Sequence, residues 1–118
     1  MPADPSNDFD AAALADLEGA LPAGEFRAFI EEYLASSVER LARAEALGAA
    51  ADLAGLRAEA HTLISTSGSY GVRRASELAR QLETACKAAD LEAARRVLAD
   101  LAASSRRAWI EMRARFLT

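Results

Sequence analysis

The sequence predicts an all-α domain: an antiparallel up-down-up-down four-helix bundle with a short additional N-terminal helix. Three observations lead there. Ala, Leu, Arg and Glu dominate the 118 residues and β-branched residues are sparse, so most side chains lose little rotamer freedom in a helix. Apolar residues recur at three- and four-residue steps through four long stretches, the period of a single helix face. Only short connections separate those stretches. That sets neighbouring helices antiparallel, and the sustained spacing favours crossing angles of about 20°.

The elements follow in order. Residues 1–7, MPADPSN, read as a flexible lead-in, and the bundle domain occupies 8–118. Asp8 or Asp10 caps a short helix carrying Leu14 and Leu17 and ending near Gly19; it should cover one end of the bundle. Pro22 suits the first turn of a long second helix. There Phe26, Phe29, Ile30, Tyr33, Leu34, Val38 and Leu41 face inward, and Gly48 is expected to end it. Asp52 starts a third helix with Leu53, Leu56, Ala60 and Leu63 inward, and a break is expected around Ser67 to Gly71. The fourth presents Ala75, Leu78, Leu82, Ala85 and Ala89, with Cys86 alongside as small core filler. Asp90 caps the fifth, whose seam is Leu91, Ala94, Leu98, Leu101, Ser105, Ala108, Met112 and Phe116. Trp109 and Phe116 are expected to plug one end.

Composition narrows the function classes. The net charge of −4 is uneven: residues 1–48 hold ten acids and three bases, and residues 49–118 hold eight acids and eleven bases. Arg73, Arg74, Arg95 and Arg96 read as ordinary exposed charge. Dense basic clustering with interleaved aromatics is missing, which argues against a nucleic-acid role. The lone Cys86 cannot form an internal disulfide and suits a reducing compartment. No apolar run approaches the roughly 20 residues of a membrane span, and Met1 to Asp10 lacks the basic start and apolar stretch of a signal peptide. The expectation is a cytoplasmic protein without membrane contact, monomeric because its outer faces are charged.

The segment AEAHTLISTSGSYG, residues 58–71, holds the only histidine. At about 100° per residue, His61 falls roughly 120° from the mean direction of Leu53, Leu56, Ala60 and Leu63, on the flank or outer face. Gly68 lies within roughly 20° of it, two turns on. Glycine inside a helix costs about 1 kcal/mol relative to alanine, and close approach by another backbone is a natural compensation. A lone exposed imidazole suits few chemistries. No second histidine is present to build a metal site, Cys86 points inward, and a slim bundle supplies poorly the concave site that acid–base catalysis wants. Neutral imidazole does offer a free lone pair at pH 7, which suits nucleophilic capture of a group delivered by another protein. Phosphoryl transfer needs mostly positioning and charge neutralisation, and a docking partner could contribute both.

His61-Thr62-Leu63, then Ser67-Gly68, then Gly71, resembles the H-x-L-K-G-S-S/A-G-x-x-G signature of histidine-containing phosphotransfer (Hpt) domains. The resemblance runs through the whole chain, including "LRAEAHTL" and "LARQLETACKAADLEAA". It implies that one histidine accepts a phosphoryl group from a receiver-domain aspartate and passes it to another receiver. The implied partners are receiver domains of response regulators and of a hybrid histidine kinase. The bundle itself brings no cofactor, and Mg²⁺ comes with the receiver.

Carried over by position, His61 is the phosphoacceptor through Nε2 and Gly68 keeps the surface open. Glu83 accepts a hydrogen bond from Nδ1–H and fixes the tautomer. Lys87 steadies the phosphoryl group, and Arg57 is a further cation. On the residues alone, Glu83 and Lys87 are equally an ordinary solvated i,i+4 pair, and Gly71 equally a helix cap or turn. The sequence departs from the signature at two positions: the usual Lys is Ile64, and the usual Gly is Ser65. Ile64 falls at the core boundary, where it could add to an apolar docking patch, and Ser65 could donate to a phosphoryl oxygen. The docking face is expected to comprise Phe9, Leu14, Leu17, Ala58, Ile64, Ser65 and Gly68. No ATP-binding Gly-rich loop is present, so a phosphocarrier without autonomous kinase activity is implied. Two alternatives stay open: a degenerate module that binds receivers or kinases without carrying phosphate, and a plain helical scaffold or homodimerising bundle.

Overall fold

Three aspartates set three helix starts. Asp10 Oδ1 accepts from the Ala13 amide at 3.0 Å, Asp52 Oδ1 from Gly55 at 2.9 Å and Asp90 Oδ1 from Ala93 at 3.0 Å, each satisfying an amide that the first turn leaves without a partner. A computed structural model describes residues 9–117 and gives α1 Ala11–Ala20, α2 Ala23–Ala49, α3 Leu53–Ser69, α4 Arg73–Lys87 and α5 Leu91–Phe116. Pro22 stands at the N-cap of α2, where its missing N–H costs nothing. Helices α2 to α5 form the antiparallel bundle and α1 is the additional N-terminal helix. The lead-in 1–7 and the alternative cap Asp8 lie outside the described residues.

Ile30, Leu56, Ala60, Val72, Leu82, Leu101 and Met112 are buried to within 1 % of complete and form the centre of the core. At one end Phe26 meets Phe116 edge-on with ring centroids 5.4 Å apart. Nearby, Phe29 and Tyr33 of α2 lie against Tyr70 at 4.3 and 4.5 Å, which anchors the end of α3. Trp109 is buried in the same core. A buried carboxylate, Glu59, ties α3 to α2 by ion pairs with Arg40 at 3.2 Å and Arg43 at 3.7 Å; removing both arginines would leave its charge desolvated and unpaired.

Several expectations are corrected. Phe9 and Leu14 are core residues, each 3 % exposed. The chain folds back here because the Asp10 amide donates to the Gly71 carbonyl at 2.7 Å, which lays the start of α1 on the α3–α4 turn and leaves neither side chain at the surface. Val38 is 44 % exposed, and Ser37 takes the inward position instead. Gly48 does not end α2; it is buried inside the last turn, where an added Cβ would come 2.7 Å from Leu98 Cδ2, and the chain turns at Ala51 with φ +57°. Helix α3 continues through Ser67 and Gly68 to Ser69, and the break falls at 70–72. Ala89 is an exposed turn residue with φ +56°, outside the α4 seam.

Candidate functional site

The apolar positions of α3 fix its rotation. Leu56, Ala60 and Leu63 are buried at 0 to 5 % exposure, and this turns His61 outward until its side chain is 75 % exposed. Across the groove, burial of Leu82 and Cys86 fixes α4 in the same way and brings Glu83 to the rim. The register between the two helices has a second anchor: Ser76 donates its hydroxyl to the Ile64 carbonyl at 2.8 Å. Ser76 and Glu83 are seven residues apart and so share one stripe of α4.

His61 Nδ1 lies 2.8 Å from Glu83 Oε2. An ionised carboxylate only accepts, so this contact assigns the ring proton to Nδ1 and leaves the Nε2 lone pair free on the exposed ring. Lys87 Nζ stands 3.8 Å from the other Glu83 oxygen. The hydrogen bond from His61 holds the Glu83 carboxyl below its ordinary value of 4.5, against a smaller desolvation cost, and the charges of Lys87 and Arg57 act in the same direction. These groups line an open cleft of about 410 Å³ with Ala54 and Ala58. The floor is small side chains, and the cations Arg57 and Lys87 flank the His61–Glu83 pair.

The cleft therefore brings together His61, Glu83, Lys87, Arg57 and Ala58. Ser65 and Gly68 lie on the other side of His61, both exposed, and Ile64 is half-buried against the core. Leu17 is likewise half-buried and packed on the core, while Phe9 and Leu14 are absent from this surface. Cys86 is buried, and burial pushes its thiol pKa up, so it stays protonated and is no nucleophile. Among the described residues no three His, Cys, Asp or Glu side chains come together as a metal site. No helix among those residues is long and apolar enough to cross a membrane.

Sequence reasoning missed Ala54 and Ser76. The first had a signal: it is seven residues before His61 and so on the same face. The hydroxyl bond of Ser76 depends on which Ile64 carbonyl faces it across the groove, and no spacing encodes that.

A family model described as Hpt domain matches residues 28–115. No curated protein and no solved structure matched the chain.

Proposed function

The chain belongs to the Hpt domain family, whose members carry out histidine phosphotransfer in phosphorelay signalling, and on that premise we propose that His61 is its phosphoacceptor. The receiver of a hybrid histidine kinase delivers the phosphoryl group to a monomeric carrier, and the receiver of a response regulator takes it away. The Nε2 lone pair attacks the phosphorus of an aspartyl phosphate; the P–N bond forms, the P–O bond to the aspartate breaks, and that carboxylate leaves with the electron pair. The imidazole becomes an imidazolium, still holding its proton on Nδ1, and the Glu83 carboxylate offsets the new positive charge. Onward transfer reverses each step. Lys87 and Arg57, on the cleft walls, face the phosphoryl oxygens as they arrive. Ser65, exposed one turn after His61, offers its hydroxyl to a phosphoryl oxygen and shares the docking surface with Ala58 and Gly68.

The observation that carries this reading is the 2.8 Å contact between His61 and Glu83. A solvated histidine needs no oriented carboxylate, whereas a nucleophilic one needs its tautomer fixed and its product charge balanced. The cations beside it also weigh against the degenerate alternative, because the charge that a lysine at position 64 would supply comes from α4 and the preceding turn of α3.

The test is labelling. The purified chain should not label itself with ATP, should acquire label from a phosphorylated receiver, and should lose that capacity as His61→Gln. Label that persists in His61→Gln defeats the proposal. A wild-type chain that binds phosphorylated receivers and never becomes labelled, until Ile64→Lys restores transfer, is the degenerate module.

A further inference from the structure

Beyond the histidine cleft, the α3–α4 groove opens into a second depression of about 510 Å³ lined by Gly68, Arg73, Arg74, Ser76, Glu77 and Arg80. Gly68 is seven residues from His61, which places this depression about 10 Å further along the same groove. Arg73 lies 3.8 Å from Asp10. Arg74 and Arg80 are exposed and form no ion pair with any described residue. With Arg57 and Lys87 at the far end, one strip of surface carries five cations against three carboxylates, Asp10, Glu77 and Glu83. Glu83 is already engaged by His61 and Lys87. This strip belongs to a protein of net charge −4 whose first 48 residues hold ten acids and three bases.

We infer that the Arg74–Arg80 depression is the docking site for an acidic segment bordering the phosphoacceptor pocket of the receiver partner, and that it sets which receivers this chain accepts. The inference rests on the carrier reading, because that reading supplies the occupant: a receiver whose transferable group is an aspartyl phosphate and which brings its own Mg²⁺, a hard cation that carboxylates hold. Charge favours the approach. The acid-rich first 48 residues repel an acidic surface, whereas along this groove cations outnumber carboxylates, and a cleft with such an excess of one sign raises association rates by about ten- to a thousandfold at low salt. Shape then fixes the distance, because Gly68 has no side chain above the floor of the depression. A segment seated against Arg74 and Arg80 can lie flat there while its neighbouring aspartyl phosphate reaches His61. Arg74 and Arg80 touch neither the imidazole nor the phosphoryl group; they are specificity-determining residues.

The experiment compares the wild-type chain with Arg74→Glu/Arg80→Glu and with the milder Arg74→Gln/Arg80→Gln. Phosphoryl is supplied in two ways: from a phosphorylated receiver that labels the wild-type chain, and from phosphoramidate, which needs no docking. The expected result is a fall in kcat/KM from the receiver of about tenfold or more for the reversal and less for the neutral variant. Both losses should shrink to about twofold in 0.5 M salt, where the Debye length is only a few ångströms, while phosphoramidate labelling of His61 stays unchanged. Receiver transfer as fast as wild type in both variants, with the same salt dependence, overturns the inference alone. A wild-type chain that takes phosphoryl from phosphoramidate and from no receiver overturns the carrier reading itself.

Discussion

Gly68→Ala should stabilise the protein, and larger side chains at the same place should block its partner. Nothing inside the molecule calls for glycine there. Among the described glycines only Gly71 has positive φ, and a Cβ added to Gly68 would meet a single atom, Ser76 Oγ, at an ordinary 3.5 Å. Replacing glycine by alanine inside a helix gains about 1 kcal/mol. Gly68 stands one residue before the end of α3 at Ser69, where fraying reduces the gain, so about 0.5 kcal/mol is expected. For a domain of this size that raises the melting temperature by about 2 °C, measurable by thermal denaturation followed by circular dichroism. Gly68→Glu adds bulk and an opposing charge, and Gly68→Leu adds bulk alone; both should lower transfer from a receiver at least tenfold while phosphoramidate still labels His61. A lower melting temperature in Gly68→Ala would mean that the glycine serves internal packing. Unimpaired receiver transfer in Gly68→Glu with unchanged circular dichroism would put the docking face elsewhere.

The neighbouring motif glycine should behave in the opposite way. Gly71 sits at φ +74°, so Gly71→Ala forces a Cβ into the left-handed region and should cost about 1 kcal/mol, a fall of about 4 °C in melting temperature; a rise would contradict the turn geometry. The Glu83 hydrogen bond should show in acid. Because the carboxyl is held below its ordinary value of 4.5, chiefly by the bond to His61, its contribution to stability is complete above that value and is lost as pH falls through the lowered one. The melting-temperature difference between wild type and Glu83→Gln should therefore shrink in strong acid, and a difference that persists unchanged at the lowest pH at which both fold would refute the assignment. Glu83→Ala should also slow phosphoramidate labelling by about one order of magnitude, less than at a water-excluded site because this cleft is open.

The bundle was legible because helix periodicity is a local property: each seam declares itself in the types of residue three and four apart. What was not legible follows from the same fact. Val38 is apolar and fits the inward spacing, but the stripe of α2 passes through Ser37, Leu41, Ala44 and Gly48. Position 37 fitted the spacing, and only its hydroxyl hid it. The Tyr33 hydroxyl lies among Ser37, Ser67 and Trp109, so the core keeps a polar patch where α2, α3 and α5 meet. Glu59 was hidden in the same way, inward by spacing between Leu56 and Leu63 but charged, and tolerable only because Arg40 and Arg43 reach it from α2. Phe9 and Leu14 depend on a contact sixty residues away in sequence, between Asp10 and Gly71, which no periodicity encodes.

The site divides along that line too. His61 was legible as an exposed ring because three core residues of its own helix define its direction. Glu83 and Lys87 were not separable from a solvated i,i+4 pair, since whether a carboxylate meets an imidazole across a groove depends on inter-helix register. The Ser76 hydroxyl on the Ile64 carbonyl and the buried Leu82 and Cys86 set that register. This bears on the replaced lysine. Read along α3 alone, isoleucine at position 64 removes a cation from the site. Read across the groove, Ile64 is half-buried and its carbonyl is part of the joint that holds Glu83 against His61, with Lys87 and Arg57 on the cleft walls. A lysine at 64 would have to lift its charge out of that apolar boundary, and the cations that remain need no such displacement. Charge compensation can move between neighbouring turns of a bundle because a phosphoryl group presents several oxygens and accepts counter-charge from more than one side.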